Sequence, residues 1–334
     1  MNSIAKSLVI CVPLVFLAGC GGSGGDGIAP ALVADPAEIT SQNAPVIAGA
    51  VLQTALEGGG LGSFAVLGSG AGSILGDPTS RLFSKLGEIH NSQTESLRQK
   101  AQIGALQDSI PPQTTPCLNS GSVTVSGEIN NPLTLSATDT FTLVFSACDD
   151  GAGVVSGTYA MRITGFTGDF VGGSFAFDVT VTLSGFQITD AGETITANGA
   201  VSISLDTSSM PTLTLSVAST SLSVSDGTSS HTLADFSVIQ TVDEVTFAFT
   251  MDASGALTSS SFTGRVTFTT AVSLQGDGVG YASNGELRIT GAGNASISIL
   301  VLDSVFIRLE IDLDGNGVPE EIVDTTWDGV VAQS

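Results

Sequence analysis

Positive charge is scarce in this chain of 334 residues. Nine lysines and arginines stand against 32 aspartates and glutamates, for a formal net charge of −23. From Cys117 onward there are four arginines, no lysine and 24 carboxylates, a balance of −20. Such a surface repels phosphate backbones and anionic headgroups, which excludes nucleic acid as a partner. The acids fall singly along the chain rather than in blocks, as on a solvated surface. Aromatic residues other than phenylalanine are nearly absent, with two tyrosines and one tryptophan against 16 phenylalanines. That argues against a lipid-facing transmembrane barrel, which carries Tyr and Trp girdles at both interfaces. It also argues against the aromatic platforms of carbohydrate sites. Only two histidines are present, and neither HExxH nor GxSxG occurs. His90, on a polar helical stretch, and His231, in a Ser-rich turn, read as exposed and incidental. Asp149-Asp150 reads as a turn rather than as the paired acids of glycoside cleavage. The chain is expected not to be an enzyme.

Long apolar runs are equally rare. One occupies Ser7 to Phe16, after the charge of Lys6 and broken only by Pro13. It is too short to span a bilayer and has the layout of a secretory signal. Leu17-Ala18-Gly19 then places small residues before Cys20. These four residues resemble the lipobox of bacterial lipoproteins. The resemblance covers the leader only. It implies a signal peptide over 1–19, a diacylglyceryl thioether on Cys20, cleavage before it, and an acyl chain on the new amino terminus. Each buried methylene adds about 0.8 kcal/mol of membrane affinity, so several chains hold a protein to a bilayer. Gly21 stands where lipoproteins retained in the inner membrane often have Asp, so the resemblance favours the outer membrane as the bilayer partner. Residues 20–42 form a flexible linker, opened by Gly21 to Gly27. Gly22, Gly24 and Gly27 match GxGxxG formally, but no strand precedes them and no helix follows.

Outside the leader and Cys20, the cysteines are Cys117 and Cys148. An even pair in an exported chain predicts a disulfide. It would close a loop of about thirty residues, worth about 3–4 kcal/mol in the chain-entropy account.

Residues 43–112 form a helical region. Asn43 is placed to cap a helix with Pro45 in its first turn, and Val46, Ile47, Ala50, Val51 and Leu56 give an apolar stripe that Gly58 ends. A glycine-rich stretch over 58–76 has no assignment. A second helix is expected over 77–107, with Leu82, Leu86, Ile89, Leu97 and Ala101 on its apolar side. Pro111, Pro112 and Pro116 mark a boundary. From residue 113 to 334 the apolar period becomes two, clearest in Phe175, Phe177, Val179, Val181 and Leu183. Similar alternation recurs in segments including 140–145, 199–205, 212–217, 245–249, 265–274, 296–300 and 305–311, separated by Asp/Gly turns. About a dozen strands are expected. The fold class is mainly β: a large antiparallel meander forming a sandwich or curved half-barrel, with the small N-terminal helical region packed on it.

One loop has metal-binding spacing. Asp312-Leu313-Asp314-Gly315-Asn316-Gly317 matches the start of an EF-hand-type calcium loop, in which alternate oxygen ligands face one centre. Val318 would add its carbonyl and Glu320 a side chain or a water. Position twelve is Val323 rather than a bidentate Glu, and the flanks alternate as strands, so a true EF-hand is excluded. Two readings stand: a hairpin loop binding calcium for structure, and a metal-free turn built from Asp, Asn and Gly. No other cofactor is required. Three functions follow: a membrane-anchored, non-catalytic structural or interaction module; a periplasmic carrier of lipid or another hydrophobic ligand; and a calcium-stabilised surface adhesion module. An open apolar groove would mark the carrier, and a core filled by side chains the first.

Overall fold

The computed structural model describes residues 34–66, 109–130, 136–151, 153–169, 173–190, 192–278 and 280–332, the side chains of 57–66 and 169 excepted. Fourteen strands form one antiparallel sheet in sequential order. They are β1 (Ser109–Pro116), β2 (Ser120–Glu128), β3 (Thr140–Asp149), β4 (Val154–Asp169), β5 (Ser174–Asp190), β6 (Glu193–Asp206) and β7 (Thr212–Ser225). There follow β8 (Ser230–Asp243), β9 (Phe249–Ser259), β10 (Arg265–Gly276), β11 (Asn284–Thr290), β12 (Ser296–Val301), β13 (Phe306–Asp312) and β14 (Glu321–Thr326). Helix α1 (Ala44–Val66) precedes the sheet and α2 (Trp327–Val331) follows it. The meander is the one the alternation predicts, and short turns between neighbours make it antiparallel throughout.

Strand β5 shows how the pattern becomes a core. Phe175, Val179, Val181 and Leu183 are buried, while the residues between them face outward or are half-buried. The register against β6 shifts between Leu183 and Phe186, with Gly185 at φ +53°. A glycine takes that bulge without strain, and burial resumes at Phe186 and Ile188. The other face carries paired hydroxyls across strands, Thr180 to Ser202 at 3.2 Å and Ser223 to Thr232 at 3.1 Å. Such pairs suit a wet sheet surface.

Helix α1 differs from the expected stripe. Ile47, Ala48, Val51, Leu52 and Ala55 are fully buried, and Gln53 and Thr54 on its remaining sides are buried too. It touches β7, β8, β9, β12 and α2. Buried on every side from Ile47 to Ala55, and reaching strands that flank β10 and β11, the helix lies within the curve of the sheet. The single sheet is therefore a curved, open half-barrel around a central helix rather than a sandwich. The helix also does not stop at Gly58 but runs to Val66. A helical glycine costs about 1 kcal/mol against alanine, a preference that burial in tertiary structure readily overrides. Asn43 takes another role than the expected cap: its side-chain oxygen accepts from Thr40 N at 2.8 Å, and its amide donates to Glu38 O.

Two further expectations change. Residues 245–249 are not a strand. Asp243 Oδ1 accepts from Val245 N and Thr246 N, and Phe247 has φ +61°, so the segment is a turn and β9 begins at Phe249. Pro111, Pro112 and Pro116 lie inside β1, an edge strand, the first two where its register against β2 shifts and the third at its end, places in a sheet that tolerate proline. The helix expected over 77–107 lies outside the described residues.

Candidate functional site

Among the described residues, two clusters of acidic or sulfur side chains lie close enough together to consider as sites. The first contains Cys117, Cys148 and Asp150. Its sulfurs are bonded to each other, with the two Cα atoms 5.4 Å apart, so the disulfide predicted from the pair is present and no thiolate is left for a metal. Cys117 follows β1 and Cys148 stands one residue before the end of β3, so the bridge spans β2 at the edge of the sheet. The adjacent carboxylates serve the turn. Asp149 Oδ1 accepts from Gly151 N at 2.9 Å and from Asn119 Nδ2 at 3.1 Å, and Asp150 Oδ1 accepts from Leu118 N at 2.6 Å.

The second cluster is the 312–320 loop, which joins β13 to β14 as the flanking alternation predicts. One oxygen each of Asp312, Asp314 and Glu320 lies within 4.8 Å of the others. Asp312 is buried at the end of β13, while Asp314 and Glu320 are exposed. Asp312 accepts from Gly315 N and Gly317 N, both at 2.8 Å. Asp314 accepts from Asn316 N at 3.0 Å and from Asn316 Nδ2 at 2.9 Å. Asn316 Oδ1 accepts from Val318 N at 2.7 Å, and Glu320 Oε2 from Leu313 N at 2.6 Å. These bonds close the turn by protein groups alone. The donor set also fits calcium: hard oxygens, each carboxylate with unused lone pairs, at a mutual spacing below about twice the 2.3–2.6 Å calcium–oxygen distance. Val323, at position twelve, stands in β14 opposite Leu309.

His231 is a correction. It is not in an exposed turn but buried in β8, 5 % exposed, with Nε2 3.4 Å from Ser259 Oγ across the β8–β9 ladder. Its tight packing identifies it as a sheet residue. His90, Cys20 and the leader lie outside the described residues.

On the wet face of β4–β7 there is a shallow, open depression of about 210 Å³, lined among others by Thr164, Asp178, Ser202, Ser204 and Ser216. It is smaller than a hydrophobic-ligand pocket of about 300–1,000 Å³. On the opposite side, where β7, β8, β9 and β12 face inward, the side chains of α1 occupy the space. No described helix is long and apolar enough to cross a membrane. Comparison of the chain with protein-family models, with curated proteins and with solved structures finds no match.

Proposed function

We propose that this chain is a bacterial lipoprotein, held at the outer membrane by lipid on Cys20, whose acidic β body is a non-catalytic structural or interaction module. The observation that carries the reading is Leu17-Ala18-Gly19-Cys20 after the Ser7–Phe16 apolar run. The Cys117–Cys148 disulfide supports it, because such bridges persist in oxidising compartments outside the cytoplasm. The buried helix supports a module over a carrier, since its side chains fill the concave side along β7–β9 and β12.

Fractionation of expressing cells, with mass spectrometry of the mature amino-terminal peptide, tests the anchor. The wild-type chain is expected in the membrane fraction with a lipid adduct on Cys20, and a Cys20→Ala chain outside it. An unmodified Cys20 in freely diffusing protein would overturn the proposal.

Calcium at the 312–320 loop is a second reading, favoured by the three converging carboxylates. A cation there would relieve their mutual repulsion and stabilise the folded state, by about 1.4 kcal/mol at tenfold excess over Kd. Melting curves with and without millimolar calcium read this directly. The wild-type Tm is expected to rise and that of Asp314→Ala to stay put. Equal curves for the wild type would make the loop a metal-free turn.

A further inference from the structure

One end of the sheet exposes a series of apolar side chains. Because the strands run antiparallel in order, the β6–β7, β8–β9, β10–β11 and β12–β13 turns and α2 all fall at that end. They touch one another in succession. Glu244 N donates to Pro211 O at 2.9 Å. Phe247 lies so close over Gly278 (φ +76°) that a Cβ there would strike its carbonyl. Tyr281 stacks on Trp327 with ring centroids 5.0 Å apart, and Trp327 N donates to Val305 O at 3.1 Å. The result is a continuous rim. On it stand Met210, Val245, Phe247, Leu302, Val305 and Phe306, between 46 % and 72 % exposed.

Two of the turns are built alike. Asp243 Oδ1 accepts from Val245 N and Thr246 N, and Asp303 Oδ1 accepts from Val305 N and Phe306 N. In each, the carboxylate ties the backbone while the apolar side chains point outward. The rim segments 206–212, 243–249, 276–284, 301–306 and 327–331 carry Asp206, Asp243, Glu244, Asp277, Asp303 and Asp328, with no Lys, Arg or His. The N-terminal segment joins the opposite end. Arg265 N donates to Asp35 O and Ala292 N to Ala37 O, at the β9–β10 and β11–β12 turns. The rim therefore points away from the place where the preceding 33 residues attach.

We infer that this rim is a docking surface for a cationic, apolar protein segment, one in which Lys or Arg alternates with aliphatic or aromatic side chains. Adjacent exposed apolar groups of this kind mark interaction sites, and the one-signed charge selects the partner. The acidic sequence of the rim segments disfavours an anionic lipid surface, and like charge disfavours a second copy of the chain. The inference rests on reading the body as an interaction module, and it does not require the lipid anchor.

The test uses the mature full-length protein in non-ionic detergent. The cell fraction that yields it reports on the anchor separately, so failure of the anchor is not failure of the rim. The probe is a synthetic peptide alternating Lys and Leu, compared with a Lys/Ser peptide of equal charge. Binding is measured for the wild type, for Val245→Ser/Phe247→Ser, for Val305→Ser/Phe306→Ser, and for Val144→Ser/Ile239→Ser on the strands away from the rim. Each rim variant is expected to weaken Lys/Leu binding about tenfold, which is about 1.4 kcal/mol. The strand variant should bind like the wild type, and the Lys/Ser peptide should bind more weakly to all. If a double variant fails to fold, Val245→Ser alone, at the most exposed rim position, makes the same comparison. Equal binding by wild type and rim variants would overturn the inference. So would equal affinity for the two peptides, rim-dependent flotation with phosphatidylcholine vesicles, or rim-dependent dimers in sedimentation.

Discussion

Asp139 is fully buried, and it is charged because its neighbours surround it with donors. Burial alone would push its pKa up. That effect is outweighed by Asn130 N and Ser136 N, and by the Asn130 and Ser136 side chains, which together hold it below the usual carboxylate value. The carboxylate fastens the turn between β2 and β3 beside the small apolar cluster of Ile110, Ile129, Phe141 and Ile163. Asp139→Ala strands buried donors, so a loss of about 2–4 kcal/mol is expected in denaturant unfolding followed by Trp327 fluorescence. A loss below about 0.5 kcal/mol would mean that water replaces the carboxylate without cost. The sign of its pH dependence follows from the lowered pKa. Its contribution is present above the unfolded carboxylate value and is lost as pH falls through the folded one.

The two tyrosines give the alkaline counterpart. Burial pushes Tyr159 up to about 12. Burial, then the hydrogen bond and charge of Asp328, push Tyr281 up to about 12. A raised tyrosine pKa stabilises the fold below the unfolded value near 10, and that stability is lost as pH rises through the folded value. Ultraviolet titration should show both phenols ionising together with unfolding. A tyrosine titrating near 10 in folded protein would contradict this packing. None of these environments was legible in sequence. Asp139 looks like one more scattered acid and His231 like a turn residue, because burial is set by which strands become neighbours.

At the scale of elements, legibility followed periodicity. The period-two runs of β5, β6, β7 and β13 named their own inward faces, since side chains alternate strictly along a strand. The same rule misread 245–249, where Val245 and Phe247 alternate but Asp243 draws the backbone into a turn. Helix α1 was read from its start and lost at its glycines. Its stripe understated its place, because every residue from Ile47 to Ala55 is buried. Leu52 is fully buried among those contacts, so Leu52→Ala is expected to cost about 2–5 kcal/mol, measured by denaturant midpoint. A cost under about 1 kcal/mol would show that α1 is loosely held. The 312–320 loop was legible as a turn with oxygen ligands in its spacing, while the hydrogen bonds that already employ those oxygens were visible only in the fold.

For the whole molecule, one apolar cluster runs from Val123 in β2 to Val330 in α2, so the sheet and its helix should unfold together. The Cys117–Cys148 bridge closes a separation of 31 residues near one edge. Removing it by Cys117→Ala/Cys148→Ala is expected to cost about 3–4 kcal/mol, and to move the midpoint reported by the distant Trp327 as well. A midpoint at Trp327 that stays fixed would show β1–β3 opening as a separate unit.

Local signals in the chain determined the strand-rich class, the antiparallel meander, the disulfide pair and the acidic surface. Each depends on neighbours in sequence or on composition, and alternation, turn residues and charge are written there directly. The leader likewise states an expected anchor without help from the fold. Tertiary structure alone decided that the sheet stays open and curves around α1, that His231 and Asp139 are buried, and that five separated segments meet as one acidic, apolar rim. Those outcomes come from contacts between residues tens to more than a hundred positions apart, and the free energy of such contacts belongs to the assembled core rather than to any segment of it.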